Sequence, residues 1–466
     1  MKQAWISLIL ALLVFSPFNL ARAQEEQPDG PVYIVRAGDT LWGIAARFGV
    51  LMDDLANENG IADPSRLSIG ARLVIPGFEG LSGVLVFDTA PMGENIESLS
   101  QRYDMPLEAL LRLNRFTSPD EAYAGAQLII LQKEGEEQTP FRGVATLRAG
   151  QSPMEAAITH GVSPWTLLKE NHMRAAWDLL PGENYYFLSQ DRGDQSALPE
   201  GFSGLEVNSL PLIQGRMLVL KVAAPEAVAL SGQFHDRALN FFRLSDGSYA
   251  ALQGVYAMLE PGIYPLTLEG SLPDGTPLAF SQRFYVQDGD YLFDPPLVVD
   301  SETTDIQNNE AENEQWSAIV APVTSEKYWD DLFQSPVPKE LSDCFPSRFG
   351  NRRSYNQSGY FYFHTGLDFC GRTGVEIYAP APGRVVFTGS LTVRGQATVI
   401  DHGWGVYSAY AHQSEIQVSQ GDWVETGQVI GLIGETGRVT GPHLHWEVIV
   451  GGVQVDPMDW LTQVFP

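Results

Sequence analysis

Apolar residues along this chain change period several times, and each change marks a different architecture. Near the N-terminus Leu41, Ile44, Ala45 and Phe48 recur at helical spacing, so one face of a short helix is apolar. Asp39 stands just before it as a candidate N-cap. A strand-like run, Tyr33-Ile34-Val35, precedes the helix, and Leu73-Val74-Ile75 closes the unit. A strand, two amphipathic helices and a strand are therefore predicted over 31–77. The same punctuation returns twice. Gly38, Asn59 and Gly70 are matched in spacing by Gly93, Asn114 and Gly125 over 84–132, and by Gly150, Asn171 and Gly182 over 143–190. Such regular self-similarity means duplicated modules.

From about Gly204 the pattern becomes that of short strands. Met217-Leu218-Val219-Leu220, Phe241-Phe242-Arg243-Leu244 and Gly262-Ile263-Tyr264 alternate with turn signals such as Asp246-Gly247 and Pro273-Asp274-Gly275. An immunoglobulin-like β-sandwich is expected over 204–296. The 297–338 stretch then opens with Glu302, Asp305, Glu310, Glu312 and Glu314 and no basic residue through Glu314. It reads as an acidic linker or solvated helix, with Trp316 to Trp329 packing on the C-terminal domain. That last part, 339–466, is rich in strands and glycine and reads as an antiparallel β domain. A chain of 466 residues with this punctuation is multidomain.

Charge and termini narrow the function classes. The formal net charge is −28, which makes nucleic acid a poor partner, since phosphate binding wants a basic face. Residues 1–23 have the form of a signal peptide: Lys2, an apolar run from Trp5 to Phe15, and Ala21-Arg22-Ala23 before Gln24. The run falls short of the roughly 20 apolar residues of a membrane span, so an uncleaved anchor is the lesser alternative. An exported protein, in the cell wall or periplasm, is expected. An oxidising compartment permits the two cysteines, Cys344 and Cys370, to pair; two free buried thiols are the alternative.

Candidate chemistry lies in the C-terminal part, which holds five of the eight histidines. On a strand, alternate side chains share a face. His364, Gly366 and Asp368 are then expected on one side, and Phe363, Thr365, Leu367 and Phe369 on the other. By the same rule His443 and His445 share a face, with Leu444 and Trp446 towards a core. Two such strands side by side suit a tetrahedral cation with nitrogen and oxygen ligands, Zn2+ above all, with the fourth position left to water. His402 sits at a turn, and His160, His172 and His235 have no ligand neighbours in sequence, so all four are expected to be structural.

The C-terminal segment resembles the lysostaphin-type (LytM-like) zinc endopeptidases that cut peptidoglycan peptides. Ser347-Arg348-Phe349-Gly350-Asn351-Arg352 is similar to that family's S-x-F-G-x-R. His364-Thr365-Gly366-Leu367-Asp368 resembles its H-x-G-x-D, and Tyr410-Ala411-His412 its Y-x-H. The run from Gly434 to His445 resembles its G-x-T-G-x-x-T-G-P-H-L-H. The resemblance implies zinc ligands at His364, Asp368 and His445, and catalytic histidines at His412 and His443. Those two would share the base and the oxyanion or acid roles, in an order left open. The first repeat, with Tyr33-Ile34-Val35-Arg36-Ala37-Gly38-Asp39-Thr40-Leu41, resembles a LysM module, a βααβ unit that binds N-acetylglucosamine-containing glycans. Contacts at Asp39, Thr40, Asn59 and Ile61 are implied. Repeats two and three keep the frame and lose the Gly-Asp-Thr-Leu run, so they resemble degenerate modules.

Together these features lead to the expectation of a secreted peptidoglycan hydrolase. A zinc endopeptidase domain would cut wall peptides while LysM holds it on glycan. The competing class is a non-catalytic wall-binding regulator that activates another hydrolase.

Overall fold

The structure, a computed structural model, describes residues 30–133, 142–171, 173–181, 183–188, 198, 201–224 and 229–466. The expected signal peptide and His172 lie outside the described residues. No helix among those described is long and apolar enough to cross a membrane.

The first repeat has the expected order. Strand Val32–Ile34 pairs antiparallel with Arg72–Val74, and helices Leu41–Phe48 and Met52–Glu58 lie between them in sequence. Leu41, Ile44, Ala45 and Phe48 are the buried face of the first helix. The cap differs from expectation. Thr40, not Asp39, caps the helix, its hydroxyl accepting from Gly43 N. The Asp39 carboxylate turns back instead, accepting from Arg36 N at 2.7 Å and from the Tyr33 hydroxyl at 2.8 Å. It therefore closes the turn before the helix.

The recurring asparagine has a structural cause. The Asn59 amide donates to Leu55 O and Val74 O and accepts from Val74 N. Asn114 makes the same three bonds to Leu110 and Ile129, and Asn171 to Leu167 and Tyr186. One side chain thus stitches the end of the second helix to the closing strand and satisfies backbone groups that the short helix leaves over.

The second and third repeats carry the same helix pairs, Ile96–Arg102 with Leu107–Asn114 and Pro153–Thr159 with Pro164–Glu170. Both dock on the middle domain: Gly93 N donates to Gln282 Oε1, Ala124 N to Arg283 O, and Ala149 N to Thr276 Oγ1. That middle domain is two mainly antiparallel sheets. One has five strands centred on Gly262–Ser271, and the other has four, with Tyr249–Gly254 beside Met217–Ala223. Leu220, Val222, Leu266, Leu268 and Phe284 fill the space between them. His160 is a packing residue, stacked 3.7 Å from the Phe187 ring and bonded to the Tyr185 hydroxyl.

Beyond the sandwich, the acidic stretch is less solvated than its charge suggested. Ile306–Val320 is a helix capped by Asp305. Trp316 and Val320 are buried with Val399, Tyr407 and Ile449 of the C-terminal sheet. Glu312 is buried as well, paired with Arg394 at 2.8 Å and accepting from Val393 N. After it, Trp329 and Phe333 enter the main C-terminal core beside Trp404 and Trp460.

The C-terminal domain is a nine-stranded antiparallel sheet system. Leu367–Cys370 pairs with His443–Val450, which pairs with Val406–Ile416, followed by Gly395–Asp401 and Gly383–Leu391. Cys344 and Cys370 are joined in a disulfide 26 residues apart, tying the start of the domain to the strand Leu367–Cys370. Closing a loop of this size contributes about 3 kcal/mol through the unfolded chain. Non-reducing peptide mapping of the protein purified without reductant is expected to recover a Cys344–Cys370 peptide pair. Recovery of two alkylatable thiols would contradict it.

Candidate metal centre and active site

The antiparallel register brings the candidate residues together. Asp368 lies opposite His445, Cys370 opposite His443, and Ala411 opposite His445 on the other side. Leu444 and Trp446, the alternate positions, are fully buried in the core, as period two requires.

His364 arrives by another route than expected. It lies on no strand: Tyr362–Phe363 ends before it, and Leu367–Cys370 begins after a bend at Gly366. The bend needs glycine, since a Cβ there would sit 2.3 Å from Trp446 O and 2.9 Å from His445 Cε1. Breaking the alternation also turns Thr365 away from the core, and its hydroxyl donates to Glu447 Oε1 at 2.7 Å.

Three donor atoms converge. His364 Nε2 lies 2.9 Å from Asp368 Oδ1 and 3.0 Å from His445 Nδ1, which is itself 2.9 Å from the same carboxylate oxygen. All three residues are buried. Each ring is oriented from behind. His364 Nδ1–H donates to Arg348 O at 2.8 Å, and His445 Nε2–H to Glu447 Oε1 at 3.1 Å. With those protons placed outward, two nitrogen lone pairs and a carboxylate oxygen face one another. That arrangement needs a cation between them, and two imidazoles with one carboxylate and an open side suit zinc. The residues therefore fit the metal.

Electrostatics place negative charge at the same point, which a proton on His445 balances when no ion is bound. Burial opposes ionisation of Asp368, yet the neighbouring His364 and His445 outweigh it and hold its carboxyl well below the usual range. Burial pushes His364 down. It opposes protonation of His445 too, but hydrogen bonds to Asp368 and Glu447 lift that ring to about 9.

Two further histidines border the centre. His412 and His443 have ring centroids 5.0 Å apart, and His443 Nε2 is 3.6 Å from Asp368 Oδ1. They too are held by carbonyls, His412 Nδ1–H by Thr436 O at 2.7 Å and His443 Nδ1–H by Gly441 O at 2.8 Å. Both Nε2 atoms are thus free to act as bases. Burial, then the nearby His445 and His443, push His412 well below its ordinary value, so it is neutral. His412 sits at a β-bulge, where its strand has one more residue than its partner between Tyr410 and Gln413. Its φ of +63° is left-handed, rare for a non-glycine residue, and strain of this kind gathers at functional sites.

Glu447 and Arg353 were not among the expected site residues. Glu447 was legible, because it follows His443 and His445 at the same period of two. Arg353 was not. It reaches Ser347 Oγ at 2.7 Å and lies 3.8 Å from Asp368 Oδ2, whereas the motif arginine, Arg352, points to Gln214 and Met258. His402, expected to lie outside the site, is a core residue between Pro382 O and Ser408 Oγ, its pKa pushed by burial to about 4.

A metal centre of this composition, on an antiparallel β-domain with two spare histidines, defines a hydrolase-type site. Residues 362–457 match Peptidase family M23, and residues 33–76 and 92–131 match the LysM domain. The chain carries a peptidase M23 domain together with LysM domains. Over 112 residues it is 43% identical to the peptidoglycan DD-endopeptidase ShyA of Vibrio cholerae serotype O1, covering 24% of this chain and 26% of that protein. Over 95 residues it is 43% identical to the DD-carboxypeptidase/endopeptidase Mpg of Neisseria meningitidis serogroup B, covering 20% and 22%. Against the solved structure of the antimicrobial peptidase lysostaphin from Staphylococcus simulans the TM-score is 0.21 at 34% identity, over 21% of this chain and 43% of that one. The chain spans about a quarter of the length of the curated relatives it matches.

Proposed function

We propose that this protein is an exported, zinc-dependent endopeptidase that hydrolyses amide bonds in the peptide part of peptidoglycan. The observation that carries this reading is the convergence of His364, Asp368 and His445 donor atoms beside His412 and His443, in one groove of about 820 Å³. His364, Asp368 and His445 hold the ion. When bound, zinc brings the pKa of a coordinated water to about 7 and polarises the scissile carbonyl. The chain's own work is proton transfer. A histidine Nε2 takes the proton of the attacking water as its oxygen bonds to the carbonyl carbon. The C–N bond then breaks and the amine nitrogen receives a proton from an imidazolium. His412 and His443 divide these tasks.

The middle domain is proposed as an immunoglobulin-like sandwich that serves as a platform, since two repeats and the catalytic sheet pack on it. Glycan binding is proposed for the first repeat. Asp39 and Asn59 spend their polar atoms within the module, so their part is to shape the two loops. Thr40 and Ile61 remain open enough to touch sugar.

The test is incubation of purified protein with insoluble peptidoglycan, with and without a chelator, and mass spectrometry of the released ends. New amine and carboxyl ends that vanish with chelator are expected. A variant lacking residues 31–77 is expected to sediment less with the polymer, insensitively to salt, while cleaving a soluble peptide at a near-normal rate, because a tether raises effective concentration and leaves the barrier alone. Release of sugar reducing ends instead of peptide ends would refute the reaction class.

A further inference from the structure

Three guanidinium groups line the groove that holds the metal centre, in a protein of net charge −28. Two of them are neutralised locally. Arg353 pairs with Asp294 at 3.0 Å, and Arg394 with Glu312 at 2.8 Å. Arg438 differs. Its Nη1 donates to two neutral acceptors, Thr303 O at 3.2 Å and Asn309 Oδ1 at 3.3 Å, and its guanidinium carbon lies 4.2 Å from the Tyr355 ring centroid. Among the described residues it pairs with no carboxylate, and its Nε and Nη2 make no hydrogen bond.

The position is rigid. Arg438 N donates to Val393 O at 2.8 Å. The preceding Gly437 has φ +78°, and a Cβ there would meet Gly395 N at 2.4 Å. Asn309 is itself tied to Thr303 O and Asp305 O. A partly buried cation with free donors and no carboxylate in direct contact is costly, since the nearest acid, Glu312, is already paired with Arg394, and a ligand that supplies a carboxylate would offset that cost. The guanidinium fork matches a carboxylate, which it can bind through two charge-assisted bonds.

Location gives the site its meaning. Arg438 lies on the loop between Thr436, whose carbonyl holds the His412 ring, and Gly441, whose carbonyl holds the His443 ring. We propose that Arg438 recognises a free carboxylate of the peptide substrate next to the scissile amide. This makes the enzyme selective for acidic stem peptides over their amidated forms. The selectivity rests on the peptidase reading above. It also gives a role to the Ile306–Val320 helix and the turn before it, outside the matched M23 segment, because Thr303 and Asn309 aim the guanidinium.

The experiment uses the full zinc-loaded chain carrying His443→Ala, which slows turnover about 10²–10⁴-fold so that binding is read before hydrolysis. Calorimetry measures its binding of soluble cross-linked stem-peptide dimers, either with free carboxylates or with the same carboxylates converted to carboxamides. The acid form is expected to bind about tenfold or more tightly than the amide, the scale of a charge-assisted bidentate contact. Adding Arg438→Gln is expected to equalise the two affinities, with zinc content unchanged. Arg438→Lys keeps the charge without the fork, so its preference should fall in between, and it serves if the glutamine variant does not fold. Equal binding of both dimers by the Arg438 protein overturns the proposal. So does a preference that survives Arg438→Gln, since the zinc alone would then be reading the carboxylate. Hydrolysis by the His443-intact protein, measured in parallel, reports separately on the peptidase reading.

Discussion

Asp368→Ala, His364→Ala and His445→Ala proteins are each expected to purify without tightly bound zinc and without detectable peptide hydrolysis. The centre has three protein donors, all within hydrogen-bond distance of one another before any ion is placed. Loss of an outer partner alone typically costs about 10–100-fold in metal affinity. Loss of a ligand should cost more. Asp368 is the severest case, because it is the one anionic donor of the three and leaves two neutral imidazoles behind. The measurement is metal content by elemental analysis after dialysis, with the Cys344–Cys370 bridge as a check that the domain has folded. Full occupancy in any of the three variants would remove that residue from the ligand set.

His412→Ala and His443→Ala should behave differently. Zinc content is expected to stay at the unmutated level while turnover falls about 10²–10⁴-fold, the usual contribution of a positioned acid or base. The reason is geometric. Neither ring belongs to the converging trio, and each is held by a carbonyl on the 436–441 loop so that Nε2 faces the groove. His412 is neutral because burial and neighbouring imidazoles disfavour its charge, which keeps a lone pair available at neutral pH. Acidification is therefore expected to remove activity as His412 and the ligand His364 gain protons, below the ordinary imidazole range because burial disfavours their charge, and raising the pH restores it. If His412→Ala emptied the metal site, the separation of ligands from proton-transfer residues would be wrong.

Much of this site is legible from local pattern because the backbone period is local. Alternation along His443–Val450 places His443 and His445 on one face and Leu444 and Trp446 in the core, whatever the rest of the chain does. The same alternation would also have pointed to Glu447. Alternation failed at His364, where close approach to the neighbouring strand forces a bend at Gly366. Local rules cannot register a contact with Trp446 O. The Asp39 cap failed for a similar reason. A carboxylate there can serve the helix or the preceding turn, and the Tyr33 hydroxyl and Arg36 N–H decided for the turn.

By itself the sequence determined the modular order, the βααβ frame of the repeats and the residue types of a His–Asp–His centre, since periodicity and turn chemistry act within a few residues. Tertiary structure alone decided which groups became neighbours. The register of Asp368 against His445 closes the metal site across 77 residues. Arg394 buries Glu312, which composition assigned to solvent, from 82 residues away. Among the described residues Arg438 is paired with no carboxylate, because the folding of distant segments brought Thr303, Asn309 and Tyr355 to it instead. Charge and spacing describe what each side chain can do. Which partner it meets depends on long-range packing, where the cost of burying an unpaired polar group selects one arrangement.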